Sequence, residues 1–381
     1  MTPKLTWRQV HGRRLARGYL SGPGSDDPVG MVRRVAGIQA QVMSAAEHAV
    51  GVRLADPSLA RVRDELWQRR GLVKTYGMRG TLHLLPADEL SLWSAAMRNH
   101  PAGGAGNWHA GFGLTVRQGE AVLAAMRDAL DGRQLSRQDL AAAVAERVGD
   151  WARGPLASTW GEMITPAAYH GVLCFGPGQG GKVGFVRVDQ WLGRTLPPYP
   201  GDALAEVLRR YLYAYGPATV ADVARWFAVR VPDARKLLAA IGDEVAEVDV
   251  EGRRAVALRA DLDQPFDDGP AGVRLVPQYD AYVLGSGPRE QIVPRPRCDR
   301  IYRHGRGRYE GAVAQHVVLV DGVVAGMWQR RARRGKLWLR IEMFQDLPGP
   351  WHGRLVTEAE RVAAFFGADL DLEFGPLVPS R

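Results

Sequence analysis

One order of elements, helices followed by a short hairpin, occurs three times along the chain and limits the fold more than any single motif. The third copy is the plainest. GDALAEVLRRYLYAYG (201–216) reads as a helix closed by a glycine, and TVADVARWFAV (219–229) as a second. PDARKLLAAI (232–241) is a third helix with proline at its start, and EVAEVDVEGRRAVALRA (244–260) alternates around Glu251-Gly252. Period-two alternation about a glycine-containing turn signals a hairpin. In the first copy, helical periodicity fits 5–20, 27–38 and 58–71, with Asp27-Pro28 as cap and first turn. LVKTYGMRGTLHLL (72–85) then gives two strands around Arg79-Gly80. The second copy has helices in 116–147, one opened by Ser136 with Asp139 three residues on, and a hairpin in CFGPGQGGKVGFVRV.

Helices followed by a hairpin is the order of a winged helix-turn-helix. The expectation is therefore an α+β chain with winged-helix modules at 1–115, 116–198 and 199–268. A β-rich segment, 269–381, follows, with a hairpin turn at Asp321-Gly322 and a closing helix at 357–367. Residues 293–311, rich in Arg, Gly and Tyr, read as an exposed loop.

Several chemistries are excluded by pattern. The sequence has no phosphate-binding P-loop, no G-x-S-x-G elbow and no H-E-x-x-H pair. FGPGQGGKVG lacks the strand and GKS/T context of a phosphate loop and fits a wing turn better. The two cysteines, Cys174 and Cys298, have no metal-ligand spacing around them. There is no apolar run long enough to span a bilayer and no secretory h-region, so a cytoplasmic protein is expected. The net charge of +9 favours polyanionic partners. The excess of arginine over lysine also follows from GC-rich coding, so charge alone leaves DNA binding open.

Two glutamines in GIQAQVMSAAEH (37–48) pose the sharpest question. On a continuous helix, Gln39 and Gln41 would point to nearly opposite sides; on extended backbone or at a helix end both can face one point. His83, in RGTLHLL, reads either as a hydrogen-bonded hairpin histidine or as a functional one. WQRRARRGK (328–336) is either a solvated hairpin tip or a phosphate-contacting finger.

Several strings together resemble the AlkZ/YcaQ-like DNA glycosylases, bacterial proteins of tandem winged helices. They are GIQAQ at 37–41, VKTYGMRGTLHLLPADEL at 73–90, WGEMITPAAYHGVLCFGPG at 160–178, GPATVADVARWFA at 216–228, LVPQYDAYVLG at 275–285 and VVLVDGVVAGMW at 317–328. They run in family order over nearly the whole chain. QYDAYVLGSGPRE departs from the family's Asp-Glu-Tyr pattern. The resemblance implies a C-shaped molecule with a concave DNA-binding face, and makes Gln39 and Gln41 the catalytic pair of the Q-Φ-Q branch. It implies excision of N7-alkylguanine from double-stranded DNA by a monomer without cofactor or metal. Repair of adducts of a DNA-alkylating antibiotic, crosslinks included, is the expected setting. Arg79, His83, Lys182, Arg330, Arg331, Arg333 and Arg334 are the candidates for DNA contact. The alternative from another class is a tandem winged-helix regulator without chemistry.

The amide pair suits that reaction. A glycosidase commonly needs one carboxylic acid to protonate the leaving group and a second carboxylate beside the sugar. Guanine alkylated at N7 is already cationic and leaves as a neutral base. What remains is to hold a water near C1′, which amide oxygens can do without any pKa tuning.

Overall fold

The structure is a computed structural model that describes residues 2–101, 105–158, 162–179, 182–264, 266, 272–302, 309, 313–333, 335–346 and 348–378. Local sequence chemistry sets most helix starts. Thr6 and Thr115 form reciprocal capping boxes with Gln9 and Gln118, and Thr219 does so with Asp222. Asp27 caps the helix Pro28–Arg34, Ser136 caps Arg137–Val148, and Asp202 caps Ala203–Tyr215. Each satisfies backbone N–H groups that a helix start leaves without partners.

Lys4–Leu5 forms a short strand, β1, before the first helix, Trp7–Arg17. The second helix ends at Arg34, short of the expected 38, because the chain turns through positive φ at Ala36 and Gly37. Ile38–Gln39 then becomes β2, and a new helix runs Met43–Gly51. After the helix Leu59–Trp67 come β3 (Leu72–Tyr76) and β4 (Leu82–Pro86), the first hairpin. The second copy supplies β5 (Leu135–Ser136), β6 (Leu173–Gln179) and β7 (Lys182–Arg187). The third supplies β8 (Val245–Val250) and β9 (Arg253–Leu258).

The hairpins do not stay separate. The first two merge into a six-stranded sheet, β2-β4-β3-β6-β7-β5, joined where Lys74 of β3 pairs with Phe175 of β6. The third carries β1 on its edge, with Lys4 opposite Asp249. One apolar core runs through the first and third copies, from Met31 and Trp93 to Tyr211, Trp226 and Phe227. The second copy has its own core around Met126, Leu140 and Phe185.

Strands β10 (Val273–Val276), β11 (Val317–Val320), β12 (Val323–Arg333), β13 (Lys336–Met343) and β14 (Asp369–Phe374) form a five-stranded sheet in chain order. Asp321 and Gly322 both have positive φ between paired Val320 and Val323, the geometry of a type I′ turn. The closing helix is longer than expected, Gly349–Phe366, and does not end the chain: β14 follows it and pairs parallel to β13. Part of the expected loop is ordered into short turns at Arg295–Arg297 and Cys298–Ile301.

Candidate active site

Residues 37–48 are not one helix. Gln39 ends β2, Ala40 is fully buried in the core, and Gln41 sits exposed in the bend before Met43. The apolar residue between the glutamines is thus an anchor. A β2 slip by one residue would expose Ala40 and bury the wrong side chains.

Gln39 is 8 % exposed and is held by Arg79. The Arg79 Nη2 donates to Gln39 Oε1 at 2.9 Å, and Nη1 donates to the Trp226 carbonyl at 3.2 Å. Because guanidinium only donates, this contact fixes the amide's orientation: its oxygen faces Arg79 and its NH2 faces away. Arg79 occupies the tight turn Met78–Gly80 with φ 61°, so the hairpin tip aims the side chain inward. Burial lowers the Arg79 pKa to about 10, which leaves it charged at neutral pH. Gln41 makes no side-chain hydrogen bond among the described residues.

His83 lies directly across the ladder from Gln39, and Thr75 lies across from His83. Directly opposed residues share a face, so Gln39, His83 and Thr75 form a polar row on one side of the sheet. The Ala40 N–H bonds the Leu82 carbonyl, which makes Gln39 and His83 a non-hydrogen-bonded pair, the kind with the closest side chains. The His83 Nδ1 is 2.9 Å from the Thr81 carbonyl, and a carbonyl only accepts, so Nδ1 carries the proton. Burial, reinforced by Arg79, pushes the His83 pKa down to about 3. The imidazole is therefore neutral.

The other candidates for DNA contact are more scattered. On β12, Arg330 is half-buried, 4.0 Å above the Phe366 ring, and burial lowers its pKa. Arg331 projects from the opposite face and is exposed, 5.7 Å from the Trp338 ring centre. Arg334 and the side chains of Lys182 and Arg333 lie outside the described residues. The departure at QYDAY has a structural use. Asp280 caps a short helix and forms a bidentate ion pair with Arg53, both fully buried. Among the described residues, no group of three or more His, Cys, Asp or Glu is placed to hold a metal ion. No described helix is long and apolar enough to cross a membrane.

Sequence reasoning named Arg79 and His83 as DNA contacts and missed that Arg79 bonds Gln39 and that His83 stands across the ladder from it. The signal was weak but present. Once 72–85 is a hairpin and Gln39 is extended, a third strand beside β4 brings His83 opposite the first glutamine.

An extended strand edge carrying one clamped and one free glutamine, in a fold of repeated helix–hairpin units, defines a class also seen in known proteins. A family model described as DNA glycosylase AlkZ-like matches residues 32–365, and the chain belongs to that family of DNA glycosylases. It is therefore an enzyme, a hydrolase of N-glycosyl bonds, which removes the regulator alternative. It is 36% identical over 336 residues to a Streptomyces sahachiroi protein described as an interstrand DNA cross-link repair glycosylase, covering 86% of this chain and 88% of the relative. The solved structure of Streptomyces sahachiroi DNA glycosylase AlkZ matches it with a TM-score of 0.81 at 31% identity, covering 98% of this chain and 100% of that one.

Proposed function

We propose that this glycosylase releases N7-alkylguanine from double-stranded DNA, with Gln39 and Gln41 holding the attacking water, and that its substrates include interstrand crosslinks formed by a DNA-alkylating antibiotic. The observation that carries the reading is the amide pair itself. Gln39 is fixed by a cation, Gln41 is open to solvent, and the partners of the pair contain no carboxylate. Among the described residues no acid bonds either amide, so the pair itself does not protonate a leaving base. It suits a base that is already cationic and leaves unaided, and it acts too weakly to remove undamaged purines. The name of the Streptomyces relative supports crosslinks among the substrates.

Extrahelical capture of a bulky or tethered base costs several kcal/mol, so the strand edge is expected to meet the lesion in place. Arg331, exposed on the β12–β13 hairpin, is proposed to contact backbone phosphate, together with Lys182, Arg333 and Arg334. The test is release of free base from duplexes carrying defined N7-guanine monoadducts and crosslinks. Release of N7-alkylguanine, with undamaged guanine left in place, is the expected result. Failure to release any N7-alkylguanine overturns the reading.

A further inference from the structure

Clamping Gln39 by Arg79 leaves the site short of one component. Water adding to the sugar carbon keeps one proton and must lose the other, and its oxygen gains positive charge as the bond forms. The Gln39 oxygen already accepts from a cation, and an amide oxygen is in any case too weakly basic to keep a proton. A group with an available lone pair, more basic than an amide oxygen, is needed beside the glutamines.

We propose that His83 is that group: its Nε2 accepts the proton that water loses as it attacks the sugar. This rests on the glycosylase reading of Gln39 and Gln41. Three features of the structure carry it. First, His83 stands across the strand ladder from Gln39, in the close-contact type of pair, with its side chain on the same face. Second, the hydrogen bond from Nδ1 to the Thr81 carbonyl fixes the tautomer and leaves the lone pair on Nε2. Nε2 has no hydrogen-bond partner among the described residues, nor is it among the polar atoms sealed from solvent. Third, the ring is seated against a missing side chain. A Cβ on Gly77 would come within 2.9 Å of Nδ1 and 3.0 Å of Cγ, and one on Gly37 within 3.6 Å of Cδ2. The backbone at Gly77 thus closes tightly on the Nδ1 edge of the ring, whereas the Gly37 distance is ordinary contact and a Cβ there meets Leu85 first.

The step balances. The C1′–N9 bond breaks with its electron pair passing to the base, which was cationic and leaves neutral. A lone pair of water forms the C1′–O bond, one water proton moves to Nε2, and imidazolium then gives it to solvent. The depressed basicity of His83, near pH 3, does not obstruct this. A sugar hydroxyl carrying an extra proton is a far stronger acid than that. The same depression keeps Nε2 unprotonated before each turnover.

The test uses the full chain and a duplex containing one 7-methylguanine, under single-turnover conditions. His83→Asn keeps a donor where Nδ1 stands, and so the Thr81 bond, but removes Nε2. It is expected to slow base release on the order of a hundredfold, the usual scale for a proton-transfer group. Its melting temperature and its affinity for undamaged duplex should stay at wild-type values. In His83→Ala, added imidazole should restore part of the rate in proportion to its concentration. Wild-type rates in His83→Asn overturn the proposal. So does a rate loss that tracks a loss of stability and is not restored by imidazole in His83→Ala. A wild-type protein that releases neither 7-methylguanine nor any other N7-alkylguanine overturns instead the function on which the proposal rests, and the two failures are read from different samples.

Discussion

Arg79 and Gln39, forty positions apart, are joined by a 2.9 Å hydrogen bond from guanidinium to amide oxygen. The same guanidinium reaches the Trp226 carbonyl in the third helix–hairpin copy, so one side chain ties the amide to a distant segment. Arg79→Ala should lower single-turnover excision by roughly tenfold to a hundredfold by freeing the amide to rotate. It should also cost about 1–3 kcal/mol of stability, since a buried acceptor loses its charged donor. Base-release kinetics and urea titration measure the two effects separately. An unchanged rate would show that the orientation of Gln39 is irrelevant.

Gln39→Ala and Gln41→Ala should each slow excision a hundred- to thousandfold, about 2.7–4 kcal/mol in the barrier, with DNA affinity near wild type. The double variant should lose less than the product of the two, because both act on one water. Their stabilities should differ. Gln39 is buried and bonded, so its loss is felt in folding, whereas Gln41 is exposed and should melt as wild type does. Gln41→Asp should retain activity as an acceptor, and Gln41→Glu should retain less. Full activity in both alanine variants would remove the pair from the mechanism.

Gly77→Ala places a methyl group 2.9 Å from the His83 Nδ1. Expected is a loss of excision comparable to that of His83→Asn, with a smaller loss of affinity for duplex DNA. Equal excision in the alanine variant would mean that the ring can shift without consequence.

Acid should unfold this protein early. Burial lowers the pKa of His11 to about 3, His83 to about 3 and His316 to about 4, and takes His48 well below its ordinary value. A group neutral in the folded state but titrating near 6.5 when unfolded binds more protons in the unfolded chain. Its contribution is therefore full above about pH 6.5 and is lost as pH falls from there toward the folded values. Between pH 7 and pH 5.5 each histidine should cost about 1 kcal/mol. Urea midpoints at those two pH values check this; equal midpoints would contradict it.

On the β12–β13 hairpin the two neighbouring arginines should separate. Arg331→Ala should reduce the slope of log affinity against log salt by about one, as for one lost phosphate contact. Arg330→Ala should change stability more than salt dependence, because its guanidinium lies on Phe366. Salt titrations of binding, run beside thermal melts, distinguish the two.

What the sequence disclosed was local. Thr219 with Asp222, Ser136 with Asp139, and Asp321-Gly322 carry their geometry in adjacent residues, and those helices and turns are where the pattern puts them. The two-residue step of the glutamines likewise argued for extended backbone or a helix end over a continuous helix, and Gln39 ends a strand at β2. Pairings between distant segments left no such trace. Nothing near Lys74 announces Phe175, and nothing near Gln39 announces Arg79 or the Trp226 carbonyl. β14 was missed because DLDLEF follows a strong helix and carries acidic side chains on an edge strand, where apolar content is not required.

The ion pair of Arg53 with Asp280 bears on how the chain is made. Its partners are 227 residues apart, and neither retains any exposed surface. On a ribosome adding about 5–20 residues per second, Arg53 waits roughly 10–45 s for its carboxylate. The Arg79 clamp likewise waits for the segment carrying Trp226. The first segment to emerge therefore holds Gln39 and Gln41, the proposed catalytic pair, without their supports until most of the protein has been synthesised. A truncated product, released early by a stalled ribosome, would carry the sequence of the site but not its geometry.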